Sequence, residues 1–567
     1  MKSVHFDYNF LQTKDRELQV EFHHFLLSQF TLYSSSLSSW HDELCYELSP
    51  KIKHWWYASG SRLIAWQPPI YQPLYYALAI KEFSQTHQIK NIKITNAPRI
   101  LKTYLEEIDT LVTYDLEYDG TKESSLKEKL KLLLAPYWEL LKLFRDALIY
   151  SKRLNLKENY QLVINSQFWG LAHFLKGGDH FFGKMLNSPP FHKNILWIYN
   201  PSRKINEEEK EKMAQILSGK DVIFLEDYWT ISDALHITLN YFNYKWETMW
   251  QAKNMTVLRI KGSACNKFSL FFIRTMIIKS HPITELKIER FFNKLHQKTK
   301  VKKIIFPFED KGLERAIILS TGSRSQTYGY AHAVHNPGHL YLDKRPENKG
   351  YPPRPDKIIC SGEAAAQWVR KKTNLGPDRI LAGGSNRYRE VALPLLKQWK
   401  PTKILFLSGQ SYEVRMLANW VSESPRLFDG FKLTVRKYPY DELIDQERGI
   451  EAIQKHCQVF QTSESLFEQI DAADIVFFTS SSSGFEALMG RRLVIYAHLH
   501  HIVPLDPVIG RGDSKSILSA TNSKEFEKIL KRIQTLSVDE VKDLIEQQKK
   551  FAFSIYGKPN INFLWED

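Results

Sequence analysis

Cysteine is scarce in this 567-residue chain: Cys45, Cys265, Cys360 and Cys457 are all there are. They stand about a hundred residues or more apart, which excludes a paired zinc spacing and a disulfide framework. A reducing cytoplasm is the natural compartment for such usage. Long hydrophobic runs are missing too. The start, MKSVHFDYNF, lacks the apolar core of a signal peptide, and the longest candidate span, LKLLLAPYWELLKLF, is broken by Pro136, Glu139 and Lys142. Work at a membrane would therefore be surface work. Repeats, low-complexity segments, an arginine-rich tail and nucleic-acid-binding motifs are also absent, and nucleic acid is not an expected partner.

What is present is a folded composition, 43% hydrophobic and 25% charged. The length calls for two or three domains. A net charge of +15, from 78 Lys and Arg against 63 Asp and Glu, favours anionic partners such as lipid headgroups or a phosphorylated substrate. Aromatics reach 13%, which suits open clefts or a sugar- or membrane-facing surface as well as a large core.

Residues 15–60 read as largely helical, SRLIAW as a strand, PPIYQPLYYALAIKEFSQTH as a helix and IKNIKITNAP as a strand with a proline-marked exit. Residues 121–157 read as a helical pair inserted between strands, whose apolar stripe with flanking lysines suits plain packing or a membrane-surface contact. The alternation resumes at NILWIYNP, DVIFLEDYW, TVLRIKG, KKIIFPFED and QTYGYAHAV. A Pro-, Gly-, Asp- and Lys-rich stretch at 340–356 reads as a linker. Beyond it DKIICSG, RILAGGS, KILFLSGQ, FKLTVRKYP, DIVFFTSSSS and RLVIYAHL alternate with helical segments, which means a parallel sheet covered on both faces. The expected division is a first α/β domain over 1–340, a second over 341–522, and helices over 523–567 packing back on the first. Two doubly wound domains place a ligand between them, at the carboxyl ends of both sets of strands.

Four loops that follow strands carry residues suited to a nucleotide phosphate: CSGE with Ser361, GGSNRY with Arg387, RKYPY with Lys437 and Pro439, and TSSSSGFE with Ser480, Ser481, Ser482, Ser483 and Glu486. Arginine and lysine supply fixed positive charge, and a serine-rich strand-to-helix turn supplies hydroxyls and backbone N–H groups. The serines also fit a simple N-cap run, and Glu486 fits either a ribose contact or a helix-dipole role.

In order, DKIICSGEAAAQWV, RILAGGSNRYRE, Lys437-Tyr438-Pro439 and SSSSGFEAL resemble the donor domain of bacterial GT-B glycosyltransferases of surface polysaccharide synthesis. Within these the chain is most similar to retaining β-Kdo transferases and related surface carbohydrate biosynthesis proteins, which use CMP-activated acidic sugars. HWWYASGSRLIAW, FLEDYWTISDAL, FPFEDKGLERAIIL and GYAHAVHNPGHLYLD carry the resemblance through the first half. It implies a GT-B-like α/β fold, two Rossmann-like domains facing a central cleft, and transfer of an acidic sugar such as Kdo from a CMP-sugar to a surface polysaccharide or lipopolysaccharide acceptor. In the family a His-Pro pair and a serine stretch hold CMP; here Tyr438-Pro439 replaces His-Pro, which leaves Lys437 as the charge.

The resemblance further implies retention through a covalent aspartyl adduct, for which FLEDYW offers Asp227; a turn or N-cap role for this residue stays open. Glu309 fits a general acid or base near the acceptor, and His332 a contact to the donor carboxylate or leaving phosphate. His332, His335 and His339 invite a metal, but NPG breaks any helix that would align them, and departure of CMP needs no metal, so no cofactor is expected. The expected partners are the CMP-sugar donor, an oligosaccharide or lipid-linked acceptor, and peripheral contact with an inner membrane or assembly complex. A UDP- or GDP-sugar enzyme and a non-catalytic glycan- or nucleotide-binding subunit are the alternatives.

Overall fold

The computed structural model describes the chain except residues 1–2, 9–14, 58–70, 109–111, 119–125, 150–154, 169–170, 172–173, 176–177, 180, 184–193, 202–204, 218–220, 254–258, 261–262, 265–268, 273–279, 338, 343, 345–351, 389–397, 437–442, 461–463, 491, 501, 504, 509–515, 561 and 565–567. The expected strand SRLIAW and the residues Lys437 and Pro439 lie outside the described residues.

Three strands, β1 (Ser3–Asp7), β2 (Asn91–Ala97) and β3 (Thr113–Tyr118), form a small parallel sheet in that order. Next along the chain come β4 (Asn159–Phe168), β5 (Ile195–Pro201) and β6 (Asp221–Phe224). A short antiparallel pair, β7 (Arg259–Ile260) and β8 (Ser263–Ala264), precedes β9 (Lys300–Pro307), β10 (Gln326–Ala331), β11 (Lys357–Cys360) and β12 (Ile380–Ala382). The second half supplies β13 (Lys403–Leu407), β14 (Lys432–Arg436), β15 (Val459–Phe460), β16 (Ile475–Phe478), β17 (Leu493–Ala497) and β18 (Leu518–Ala520).

Two larger parallel sheets result, in the orders β12-β11-β10-β9-β4-β5-β6 and β15-β14-β13-β16-β17-β18. Numbered from its own first strand, each reads 3-2-1-4-5-6, the larger adding a seventh strand at the end. This is the doubly wound, Rossmann-like order. In it the winding reverses between the first and fourth strands, here β4/β9 and β13/β16, and a crevice opens beyond their carboxyl ends. The central strands are buried on both faces, as helices on either side require: IVFF of β16 and LVIYA of β17 are buried at every position. Phe406 stacks on Phe477 at 4.6 Å inside this layer.

The sheet membership corrects the expected division at 340/341. β11 and β12 pair with β10 in the first sheet, so the chain crosses to the second only between 383 and 402. The Pro- and Gly-rich stretch near 340–356 is a long connection within one sheet; Leu340, Tyr341 and Leu342 are buried in it. Loop composition registers a connection but not which sheets it joins. The 121–157 segment is likewise one helix, Leu126–Ile149, that continues through Pro136. Of TVLRIKG, the described residues Arg259 and Ile260 form β7.

At the C-terminus, the helix Ser523–Thr535 packs on the second core through Phe526, Leu530 and Ile533. The helix Val538–Ile555 then leads back to the first sheet. Ser361 Oγ donates to Ile555 O (2.9 Å) and Gly557 N to Ser361 O (2.8 Å). Ser385 N donates to Gly557 O (2.9 Å), Asn560 N to Gly383 O (2.9 Å), and buried Lys303 Nζ to Leu564 O (3.0 Å). Gly384 makes this approach possible: its φ is +80°, and a Cβ there would stand 2.3 Å from Lys558 O. Gly384→Ala is therefore expected to destabilise the protein by more than about 1 kcal/mol. Denaturant unfolding checks this, and an unchanged midpoint would contradict the tight docking of the tail.

Candidate functional site

A cavity of about 610 Å³ lies between the carboxyl ends of the two large sheets and is lined by loops from both. Its size falls within the roughly 300–1,000 Å³ of small-molecule sites. The loops after β9, β13 and β16 reach it, so it sits at the point of winding reversal in both sheets.

On the first-sheet side the wall begins with FEDKGLER, where β9 turns into the helix Gly312–Thr321. Asp310 adopts φ +60° and points its carboxylate inward to a buried pair with Arg315 (2.7 and 3.1 Å), whose guanidinium lies over Trp56. Glu314 accepts from Glu309 N (2.8 Å) and Lys311 N (3.1 Å). Burial, with the Glu309 charge adding to it, pushes the Glu314 carboxyl up to about 8. The two residues that alternate with these anchors, Glu309 and Lys311, line the cavity and pair with each other. His332 Nε2 stands 3.3 Å from Glu309 Oε1. His335, stacked on Trp368 at 6.1 Å, and His339 line the cavity farther along the loop that follows β10.

On the second-sheet side the serines dominate. Thr479 Oγ1 donates to Ala497 O (2.7 Å) and fixes the end of β16 against β17. Ser480, through both Oγ and N, binds the buried carboxylate of Glu413, which also accepts from Gly409 N (2.7 Å). Glu413 thus clamps the loop after β13 to the loop after β16. Gly409 is required there, since a Cβ would lie 2.5 Å from Ser480 Oγ and 2.7 Å from Ser481 N. Ser481 Oγ accepts from Ser483 N (3.3 Å), and Ser482 Oγ accepts from Arg387 Nη1 (2.5 Å). All four serines line the cavity together with Glu486. Arg387 arrives from the other sheet, after β12, and also pairs with Glu486 (3.3 Å). Burial opposes its charge, but Tyr556, Glu486 and Tyr330 around it more than compensate and hold it positive. Arg436, the last residue of β14, adds a further cation to the lining.

Several expected roles change. Asp227 does not line the cavity; it is buried against Lys210, Nζ to Oδ1 2.5 Å. The reason is strand order. FLEDYW ends β6, an edge strand three positions from β9, roughly 14 Å away at ordinary strand spacing. The covalent aspartyl adduct loses its candidate. Ser361 is fully buried beneath Ile555 and holds the C-terminal tail, because β11 belongs to the first sheet. His332 stands beside Glu309 and is not among the residues lining the cavity. Sequence reasoning passed over Lys311, Gln410, Glu413 and Arg436. Arg436 lay within the RKYPY loop that drew attention, whereas Glu413 looked like an ordinary first-turn acid of the helix Ser411–Glu423.

Burial pushes the Glu413 carboxyl up to about 7, against the opposing pull of Ser480 and the Gly409 N–H. The folded protein then keeps a proton that the unfolded chain releases near its ordinary value of 4.5. Stability from this group is greatest at low pH and falls as pH rises from about 4.5 to about 7, by about 3 kcal/mol. Glu413→Gln removes this slope, so its melting temperature is expected to drop less than the wild type's between about pH 5 and about pH 7.5. Parallel pH profiles of the two proteins would contradict the assignment.

No family of known sequences and no curated protein matches the chain. Among solved structures it is similar to TarM, at 10% identity over 70% of this chain and 96% of that one, with a TM-score of 0.39. A lipopolysaccharide outer core galactosyltransferase, WaaB, is similar at 11% identity over 70% and 96%, TM-score 0.39. An α,α-trehalose 6-phosphate synthase from Burkholderia multivorans follows at 9% over 70% and 95%, TM-score 0.38. At these scores the likeness adds nothing to the topology read from the strands themselves.

Proposed function

We propose that the protein is a glycosyltransferase that moves an acidic sugar, Kdo in the first instance, from a CMP-sugar to a surface polysaccharide or lipopolysaccharide acceptor. One observation carries this reading: a cavity between two doubly wound sheets with serines, Arg387 and Arg436 on one wall and the carboxylate Glu309 on the other. The cationic, hydroxyl-rich wall suits the phosphate of a departing nucleotide. Glu309 suits the acceptor side. It takes the proton of the attacking hydroxyl as the sugar–phosphate bond breaks and the new glycosidic bond forms, and His332 beside it steadies its charge.

Ser481→Ala combined with Ser482→Ala is expected to weaken CMP binding roughly tenfold or more, as lost hydrogen bonds to a charged group cost about 1.5–3 kcal/mol. Calorimetric titration reads this, and unchanged affinity in a folded double variant would remove the nucleotide from this loop. Glu309→Gln should lower transfer roughly a hundred- to ten-thousand-fold with CMP affinity kept. Undiminished transfer in that variant would refute Glu309 as the base, and undiminished biological output without any transfer would favour a binding subunit. A UDP- or GDP-sugar donor is the second reading, since Lys311, Arg387 and Arg436 suit a diphosphate as well as a phosphate plus sugar carboxylate. Comparing CMP, UDP and GDP as thermal stabilisers separates the two.

The acceptor side includes a membrane surface in this proposal. The helices Leu126–Ile149 and Ile231–Lys253 meet through Tyr137 and Phe242, rings 6.3 Å apart. Both leave large apolar side chains exposed, Trp138 at 68% and Trp246 at 69% among them, with Leu141, Leu239 and Trp250 nearby in sequence. Among the described residues no helix is long and apolar enough to cross a membrane. Such a face on a protein of net charge +15 suits the surface of an anionic bilayer. Trp138→Glu with Trp246→Glu is expected to abolish co-flotation with anionic vesicles and leave CMP binding intact; unchanged flotation would exclude this face.

A further inference from the structure

The loop that follows β17 gathers a second set of polar groups outside the cavity. One ring nitrogen each from His498 and His500 and one carboxylate oxygen from Asp506 lie within 4.8 Å of one another. His500 and Asp506 are 3% and 1% exposed, while His498 keeps a partly open side. Tyr496 hydrogen-bonds to Asp506, and its Oη stands 3.1 Å from His500 Nε2. With the tyrosine hydroxyl donating to the carboxylate, His500 Nε2–H donates to the tyrosine oxygen. That leaves Nδ1 of His500 as a lone pair, and this atom is buried with no hydrogen-bond partner. His498 Nδ1 remains 3.9 Å from Asp506 Oδ2, too far for a hydrogen bond. A buried imidazole nitrogen without a partner carries a desolvation cost that a bound cation would relieve.

We infer that His498, His500 and Asp506 form a binding site for a transition-metal dication of the zinc class. Two imidazoles and a carboxylate are the donor set such an ion prefers, and three protein ligands leave a fourth position open to water or a ligand. Zinc–ligand bonds of about 2.0–2.2 Å require the three atoms to draw together by on the order of 1 Å. The supporting contacts have the character of an outer shell. Tyr496 orients both His500 and Asp506, and Asp506 Oδ1 accepts from Val508 N (2.7 Å). His498 supplies the route from solvent.

The site's place in the fold suggests its effect. Leu505, the residue before Asp506, lines the cavity, and Ala497, just before His498, accepts the Thr479 hydroxyl at the start of the serine loop. An ion held here would tie the loop after β17 to the wall that carries the serines. It stands apart from the reacting groups, so the inference does not depend on the transfer reaction.

The test is calorimetric titration of the chelator-treated full chain with zinc chloride, with bound metal counted by mass spectrometry. One saturable equivalent and a raised melting temperature are expected. His498→Gln and Asp506→Asn should each weaken zinc binding at least tenfold while keeping the metal-free melting temperature and CMP affinity. If Asp506→Asn does not fold, the partly exposed His498→Gln decides alone. Absence of saturable binding would overturn the inference, as would zinc binding of unchanged stoichiometry and affinity in the folded variants.

Discussion

The backbone hydrogen bonds that Gly557 and Asn560 make with Ser361, Ser385 and Gly383 set one large sheet against the other. The last helix begins on the second unit, yet the segment after it closes on loops that follow β11 and β12 of the first. A crossing of this kind, together with Ile502, Val503 and Leu505 of the second unit packed into the first core, fixes the separation of the two sheets. It also fixes Arg387, two residues beyond Ser385, at the distance where it meets Ser482 and Glu486. The cavity and its charge pattern are consequences of that closure.

Within the cavity, each wall is built by residues that do not enter it. Asp310 and Glu314 hold the β9 turn from behind so that Glu309 and Lys311 face forward. Glu413 does the same for the serine loop, binding Gly409 and Ser480 at once. Buried carboxylates in such positions are costly unless hydrogen-bonded, and each is satisfied by several donors. The cost is returned as preorganisation: hydroxyls and guanidinium groups are oriented before any anion arrives.

Much of this was legible along the chain. Short apolar runs such as IVFF and LVIYA announce doubly covered parallel strands, and the abrupt change to TSSSSG marks a loop at a strand's carboxyl end. Two doubly wound parallel sheets follow from those runs and their spacing. Strand order was not legible, because pairing is set by contacts between segments far apart in sequence. That one gap accounts for three corrections. Asp227 follows a strand as Glu309 does, but β6 is at the edge and β9 at the centre. Ser361 follows a strand as Ser480 does, but β11 belongs to the other sheet. The stretch near 340–356 has the composition of a linker but spans no boundary. Glu413 escaped notice for a related reason: its burial depends on Ser480, 67 positions away.

A structure of the protein crystallised with CMP addresses the central claim most directly. The account predicts the phosphate within hydrogen-bonding reach of Ser481, Ser482 and Arg387, with one of its free oxygens, the one that bears the sugar in the donor, directed across the cavity toward Glu309. Nucleotide bound elsewhere, for instance at the turn after β6 where Asp227 is buried, would contradict it.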